Sequence, residues 1–86
     1  MESTYQIVME NGDIIIADFD DRIISSTTFE RNSLFIRSEN VLYGTDYIQC
    51  TDFAYTYINT SMIKAISKIR YDKIDIVIQM LKAKSE

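Results

Sequence analysis

Residues 4–21 read TYQIVMENGDIIIADFDD, two apolar runs on either side of Asn11-Gly12. Asn-Gly between alternating apolar residues is the strongest short-range signal for a β-hairpin, because both residue types tolerate the positive φ of a two-residue type I′ turn. That turn pairs Glu10 with Asp13, Met9 with Ile14, Val8 with Ile15, Ile7 with Ile16 and Tyr5 with Asp18. Strand side chains alternate between faces, so this register gathers Ile7, Met9, Ile14 and Ile16 on one side and Val8, Ile15, Ala17 and Phe19 on the other. Neither side is polar. A hairpin apolar on both faces needs cover on both, from a curled sheet, a crossing helix or a second copy of the chain.

The same stretch is acidic. Glu2, Glu10, Asp13, Asp18, Asp20 and Asp21 all precede the first basic residue, Arg22. Glu10 and Asp13 flank the turn, while Asp18, Asp20 and Asp21 lie at the far end, and strand ends are where water is expected. Asp18 and Asp20 share a parity, a start toward holding a hard divalent cation. Two carboxylates outside a fixed oxygen-rich loop fall short of such a site, so no metal ligand is assigned.

Beyond the hairpin, RIISSTTFERNS (residues 22–33) reads as a short strand running into a loop. LFIRS and VLYG around Ser38-Glu39-Asn40 predict a second hairpin, and YIQC and FAYTYINT around Thr51-Asp52 a third. From Ser61 onward glycine is absent, and Met62, Ile66, Ile69, Ile74, Val77, Ile78 and Leu81 recur at spacings dominated by three and four, which predicts helix over 61–84. Asn59, Thr60 and Ser61 are candidate N-caps, and Lys82 and Lys84 suit the negative end of the helix dipole. Arg70 and Lys73 would fall on the apolar side of one unbroken helix. A break near Tyr71-Asp72, with Asp72 capping a second helix, is the alternative.

Eighty-six residues make a single domain, 1–86, near the size at which one core is marginal and a partner or a second copy adds stability. Hydrophobic residues at 47% and charged residues at 26% are those of a folding chain and lack the signature of disorder. Without a basic-then-apolar leader or a long apolar run, the expected location is the cytoplasm. The lone Cys50 suits a reducing compartment and reads as a small packed thiol. Fifteen isoleucines against three leucines is a bias associated with AT-rich genomes, such as those of low-GC bacteria and their phages.

The net charge of −4 is unevenly spread. Residues 1–63 hold ten acids and three arginines, net −7, and residues 64–86 hold six basic residues and three acids, net +3. The basic residues alternate with Ile, Val, Met and Leu, as on a solvated helix face, rather than clustering as a nucleic-acid tail would. A single-stranded nucleic-acid reader pairs sheet aromatics with a basic groove. Here the neighbouring charges are mainly acidic, so direct nucleic-acid binding is not expected.

Catalytic equipment is scarce. With no histidine, Ser-His-Asp and Cys-His nucleophile systems are excluded, as are the usual zinc sites. Two glycines cannot build a phosphate-cradling or dinucleotide loop. No enzyme activity and no cofactor are expected. What remains is the aromatic set Tyr43, Tyr47, Phe53, Tyr55 and Tyr57, whose rings either glue strands together or bind a partner at low entropic cost.

Hairpin, further strands and a terminal helix resemble in outline the small Sm-like or SH3-like barrels. In length and composition, a short acidic chain of this kind resembles the accessory inhibitors that phages encode against host enzymes or defence systems. The expected fold is α+β: a small curled antiparallel sheet or partial barrel of about five strands over residues 1–60, with the C-terminal helix packed on one face. The expected role is a non-catalytic protein-binding module, an inhibitor or regulator that occludes a basic or nucleic-acid-binding protein. Its partner surface would comprise Glu10, Asp13, Asp18, Asp20, Asp21, Tyr43, Tyr47, Tyr55 and Tyr57. A structural homo-oligomer, such as a homodimer buried on the two-faced hairpin, is the alternative.

Overall fold

A computed structural model describes residues 1–25, 34–44 and 55–85. The alternating apolar runs form β1 (Glu2–Met9) and β2 (Ile14–Asp20), followed by a five-residue helix α1 (Asp21–Ser25). Then come β3 (Leu34–Arg37), β4 (Val41–Tyr43), β5 (Tyr55–Ile58), β6 (Ile63–Lys68) and the helix α2 (Ile74–Ser85). The fold is α+β. One antiparallel sheet has the order β4-β2-β1-β6, and β3 pairs with β5 in a second.

The hairpin forms in a register one residue away from the expected one. Met9 N–H donates to the Asp13 carbonyl at 2.8 Å and Gly12 N–H to the Met9 carbonyl at 2.9 Å, which closes a three-residue connection. Among the described residues positive φ occurs at Gly12 alone, at +92°. This is a type I turn followed by a left-handed glycine, the G1-bulge hairpin, rather than a type I′ turn. Asn11 has a local reason to stay right-handed: its side-chain oxygen accepts from Asp13 N–H at 2.9 Å, and its amide donates to the Asp13 carboxylate at 3.0 Å.

One residue of slip re-sorts a whole face. Val8 now pairs with Ile14, Ile7 with Ile15 and Tyr5 with Ala17. Tyr5, Ile7, Ile15, Ala17 and Phe19 therefore share one side and are buried in a single cluster with Leu34, Ile36 and Ile58 of the second sheet. Tyr5 and Phe19 stack tilted, with ring centroids 6.3 Å apart. The core thus lies between the two sheets, with Phe35 and Arg37 of β3 alternating outward. The other face of the four-stranded sheet carries Thr4, Gln6, Val8, Ile14, Ile16 and Asp18, and Ile16 on it is fully buried.

Residues 63–68 correct the expected helix over 61–84. They pair antiparallel with the otherwise free edge of β1, Ile66 opposite Ile7 and Ile63 opposite Met9, with a register shift between Val8 and Met9. That bulge explains the misreading. An extra residue lets Ile63 and Ile66, three apart, both pack against the core, so a bulged strand reproduces helical spacing. Asn59 does cap, accepting from Ser61 N–H at 3.0 Å, but it caps a 3-10 turn over Thr60–Met62 that leads into a strand.

The α-helix itself starts at Ile74, after a 3-10 turn over Tyr71–Lys73. Asp72 sits within that turn, bonded to Arg70 at 3.4 Å, and does not cap the helix. Ile74, Val77, Ile78 and Leu81 form a half-buried stripe, and Lys82 and Lys84 occupy the last turn as expected. Ile74 and the second-face residues Thr4 and Asp18 line one cleft, so the helix begins over that face.

Other local expectations change for non-local reasons. Asp21–Ser25 is helical rather than strand. LFIR and VLY are strands, but they belong to different sheets: β3 pairs with β5 and β4 with β2, with the Ser38–Asn40 3-10 turn between them. The third hairpin's turn, at Thr51-Asp52, lies outside the described residues. No helix among the described residues is long and apolar enough to cross a membrane.

Candidate functional site

The acidic residues separate into two groups at opposite ends of the hairpin. At the turn, Glu10 is exposed and its N–H donates to the Met62 carbonyl at 2.8 Å, while the Asp13 carboxylate is engaged by Asn11. At about 3.3 Å per residue, the far end of β1 lies roughly 20 Å away. The acidic candidates therefore occupy the two ends of the hairpin, where the sequence places them.

At the far end most of the negative charge is already satisfied. Asp20 takes a bidentate grip from Arg22, Nε to one oxygen at 3.2 Å and a terminal nitrogen to the other at 2.9 Å, and Arg22 N–H adds a third bond at 2.9 Å. These bonds hold the Asp20 carboxyl well below the usual carboxylate range and push the Arg22 guanidinium up. Asp21 accepts the Tyr5 hydroxyl at 2.6 Å, with the Lys68 ammonium 3.5 Å away. The Tyr5 bond first, then the Ser3 hydroxyl, draws the Asp21 carboxyl down. The same Asp21 bond, aided by burial and by the nearby charges of Asp21 and Asp20, pushes the Tyr5 phenol up to about 12.

Asp18 and Asp20 do share a face, opposite Thr4 and Glu2, as their parity requires. They are held by different partners. Asp18 accepts the buried Thr4 hydroxyl at 2.6 Å, and its backbone carbonyl accepts the Asn40 amide at 3.4 Å. No ion pair among the described residues reaches Asp18; the recorded pairs use Asp20, Asp21, Glu39 and Asp72. Among the described residues no three Asp, Glu or Cys side chains converge as a metal-holding group.

The expected aromatic surface is placed in part. Tyr43 is half-buried on β4, opposite Ile16. Tyr55 and Tyr57 lie on β5 in register with Arg37 and Phe35. Tyr47 and Phe53 lie outside the described residues.

Sequence reasoning missed a cleft on the second face. Its volume is about 590 Å³, and Thr4, Asp18, Leu42, Ile69, Tyr71 and Ile74 line it. It exists because Ile69 N–H donates to the Thr4 carbonyl at 2.9 Å, extending the β1 and β6 ladder by one step, after which the Tyr71–Lys73 turn brings the chain back over the sheet. Tyr71 is left 92% exposed on the rim, and Leu42 46% exposed. The signal available beforehand was slight: an aromatic residue beside Asp72 at the suspected helix break.

No family model, curated protein or solved structure matches this chain.

Proposed function

We propose that this chain is a non-catalytic protein-binding module that acts by occlusion, as a small cytoplasmic inhibitor or regulator would. The observation that carries this reading is the amount of large apolar surface left in solvent on so small a chain: Tyr71 at 92%, Met80 at 57% and Ile76 at 50%, with Leu42 and Phe35 also exposed. Tyr71 and Leu42 share the rim of one cleft, and exposed apolar surface gathered in one place marks interaction sites. The acidic groups contribute less than their number suggests, since Asp20 and Asp21 are neutralised within the fold. Glu10 and Asp13 at the turn, together with Asp18, remain to steer a basic partner.

The test is capture of partners from an extract of the source cell on the immobilised chain, repeated with Tyr71→Ala/Leu42→Ala and with Glu10→Gln/Asp13→Asn. A protein retained by the folded wild type and lost from one variant supports the module. Failure of the wild type to retain anything beyond blank resin sinks it.

A second reading, self-association, draws on the row Ile76 and Met80 on the helix side away from its half-buried stripe. Asp72 and Asp75 lie at one end of that helix and Lys82 and Lys84 at the other, so two antiparallel copies would set opposite charges side by side. Light scattering decides it, with twice the 10.0 kDa monomer mass expected for a dimer.

A further inference from the structure

The geometry points to the second-face cleft as a receptor for an arginine side chain carried on an extended segment of the partner, an inference that rests on the protein-binding reading. Among the described residues, Asp18 and the exposed Glu2 are the far-end carboxylates that no ion pair engages. Arg22 takes Asp20 and Lys68 takes Asp21, but Asp18 is positioned by a neutral hydroxyl, that of Thr4. Each carboxylate oxygen can accept more than one donor, so the Thr4 bond fixes the group and leaves acceptor capacity for an incoming fork of N–H donors.

The cleft's own cations already face other carboxylates: the ammonium of Met1, one of the lining residues, lies 4.0 Å from Asp20. Glu2 adds a second carboxylate, and the ammonium of Lys68, which also lines the cleft, is engaged with Asp21 on the core side of the sheet. Arg70, the nearest arginine in sequence, is paired with Asp72.

The walls favour arginine over lysine. The Tyr71 ring stands almost free on the rim and offers a face on which a planar guanidinium can stack, while the ammonium of lysine is a compact, strongly hydrated charge. Leu42, Ile69 and Ile74 would receive the methylene stem and the apolar neighbours of the arginine. A volume near 590 Å³ lies within the roughly 300–1,000 Å³ range of ligand clefts and holds more than one side chain.

The experiment is amide NMR of the full chain titrated with the capped tripeptide acetyl-Leu-Arg-Leu-amide, with lysine and citrulline versions as comparisons. Saturable shifts at Thr4, Ile69 and Tyr71 are expected, with little change at the distant turn around Asn11. Citrulline keeps the shape and removes the charge, and should bind at least tenfold more weakly. Asp18→Asn retains an oxygen for Thr4 and should weaken binding about tenfold. Tyr71→Ala, at a position too exposed to disturb folding, should weaken it severalfold.

Equal binding of the citrulline peptide, unchanged affinity in Asp18→Asn and Tyr71→Ala, or shifts that never saturate would overturn the cleft assignment. A lysine peptide binding as well as the arginine one would overturn the choice of arginine. The two levels of the argument separate cleanly. A partner captured equally by wild type, Asp18→Asn and Tyr71→Ala removes the cleft and leaves the module; peptide binding by a chain that captures no protein removes the module.

Discussion

Replacing Gly12 by L-alanine and by D-alanine tests the turn that sets the pairing of β1 with β2. Nothing lies within 4 Å of a Cβ built on Gly12, so the substitution meets no steric obstacle and its cost is purely conformational. The backbone is at φ +92°, where an L side chain is strained by roughly 1–2 kcal/mol. Part of this is offset, because alanine narrows the unfolded ensemble by about 0.4–1 kcal/mol. The L-alanine variant should therefore lose about 1 kcal/mol, or roughly 4–8 °C in Tm for a domain of this size. D-alanine suffers no such strain and keeps the entropic benefit, so it should be stabilised by about 0.4–1 kcal/mol.

Cys50 provides a ligation point for assembling the chain from synthetic segments 1–49 and 50–86, and urea denaturation followed by circular dichroism gives the stabilities. Asn11→Ala serves as the control. Asn11 has negative φ here, so its loss should cost only the exposed bonds to Asp13, about 0.5 kcal/mol at most. In a type I′ turn Asn11 would also be left-handed, and alanine there would be as costly as at position 12. Equal losses at the two positions, or a D-alanine variant weaker than the L form, would refute the G1-bulge register.

Three further outcomes follow from the packing and the charges. Ile7→Ala, at a fully buried position between Ile15 and Ile66, should cost about 3 kcal/mol within the usual 2–5 range for such truncations, while Ile76→Ala on the exposed helix side stays within about 0.5 kcal/mol by urea titration; comparable losses would contradict the assignment of the core. Stability measured against pH should fall at both ends. Tyr5 ionises near 12 in the fold against 10.0 when exposed, so its contribution is complete below pH 10 and lost between pH 10 and 12, whereas the lowered Asp20 and Asp21 contribute fully above about pH 4 and less as acid protonates them; Tyr5→Phe should flatten the alkaline limb and Asp20→Asn/Asp21→Asn the acid one. Lys64 projects from the outer strand β6 at the residue skipped by the register with β1, where a charge discourages edge-to-edge pairing, so Lys64→Val should raise the apparent mass in concentration-dependent light scattering.

Much of the architecture could be read from local pattern. Alternation marks β1 and β2, the i, i+3, i+4, i+7 spacing of Ile74, Val77, Ile78 and Leu81 marks α2, and Asn59 is legible as a cap, though of a 3-10 turn rather than of the expected helix. These features act within a few residues of themselves, through φ preferences, side-chain alternation and side-chain-to-backbone bonds, so the amino-acid order alone carries them. The candidate site was legible in part: Asp18 and Asp20 do share a face, but whether their charge is available was not.

The remainder depends on partners distant in the chain. Ile63 and Ile66 are three apart and look helical until the open edge of β1 takes them as a bulged strand. LFIR and VLY are adjacent in sequence and look like a hairpin, until β5 claims one and β2 the other. Asp21 reads as exposed negative charge until the Tyr5 hydroxyl and the Lys68 ammonium, from two other strands, engage it. The cleft beneath Tyr71 is made by residues from both ends of the chain and from β4. A hydrogen-bond ladder and a buried face are satisfied by whichever segment arrives in the right geometry, and that geometry belongs to the assembled fold rather than to any local run of residues.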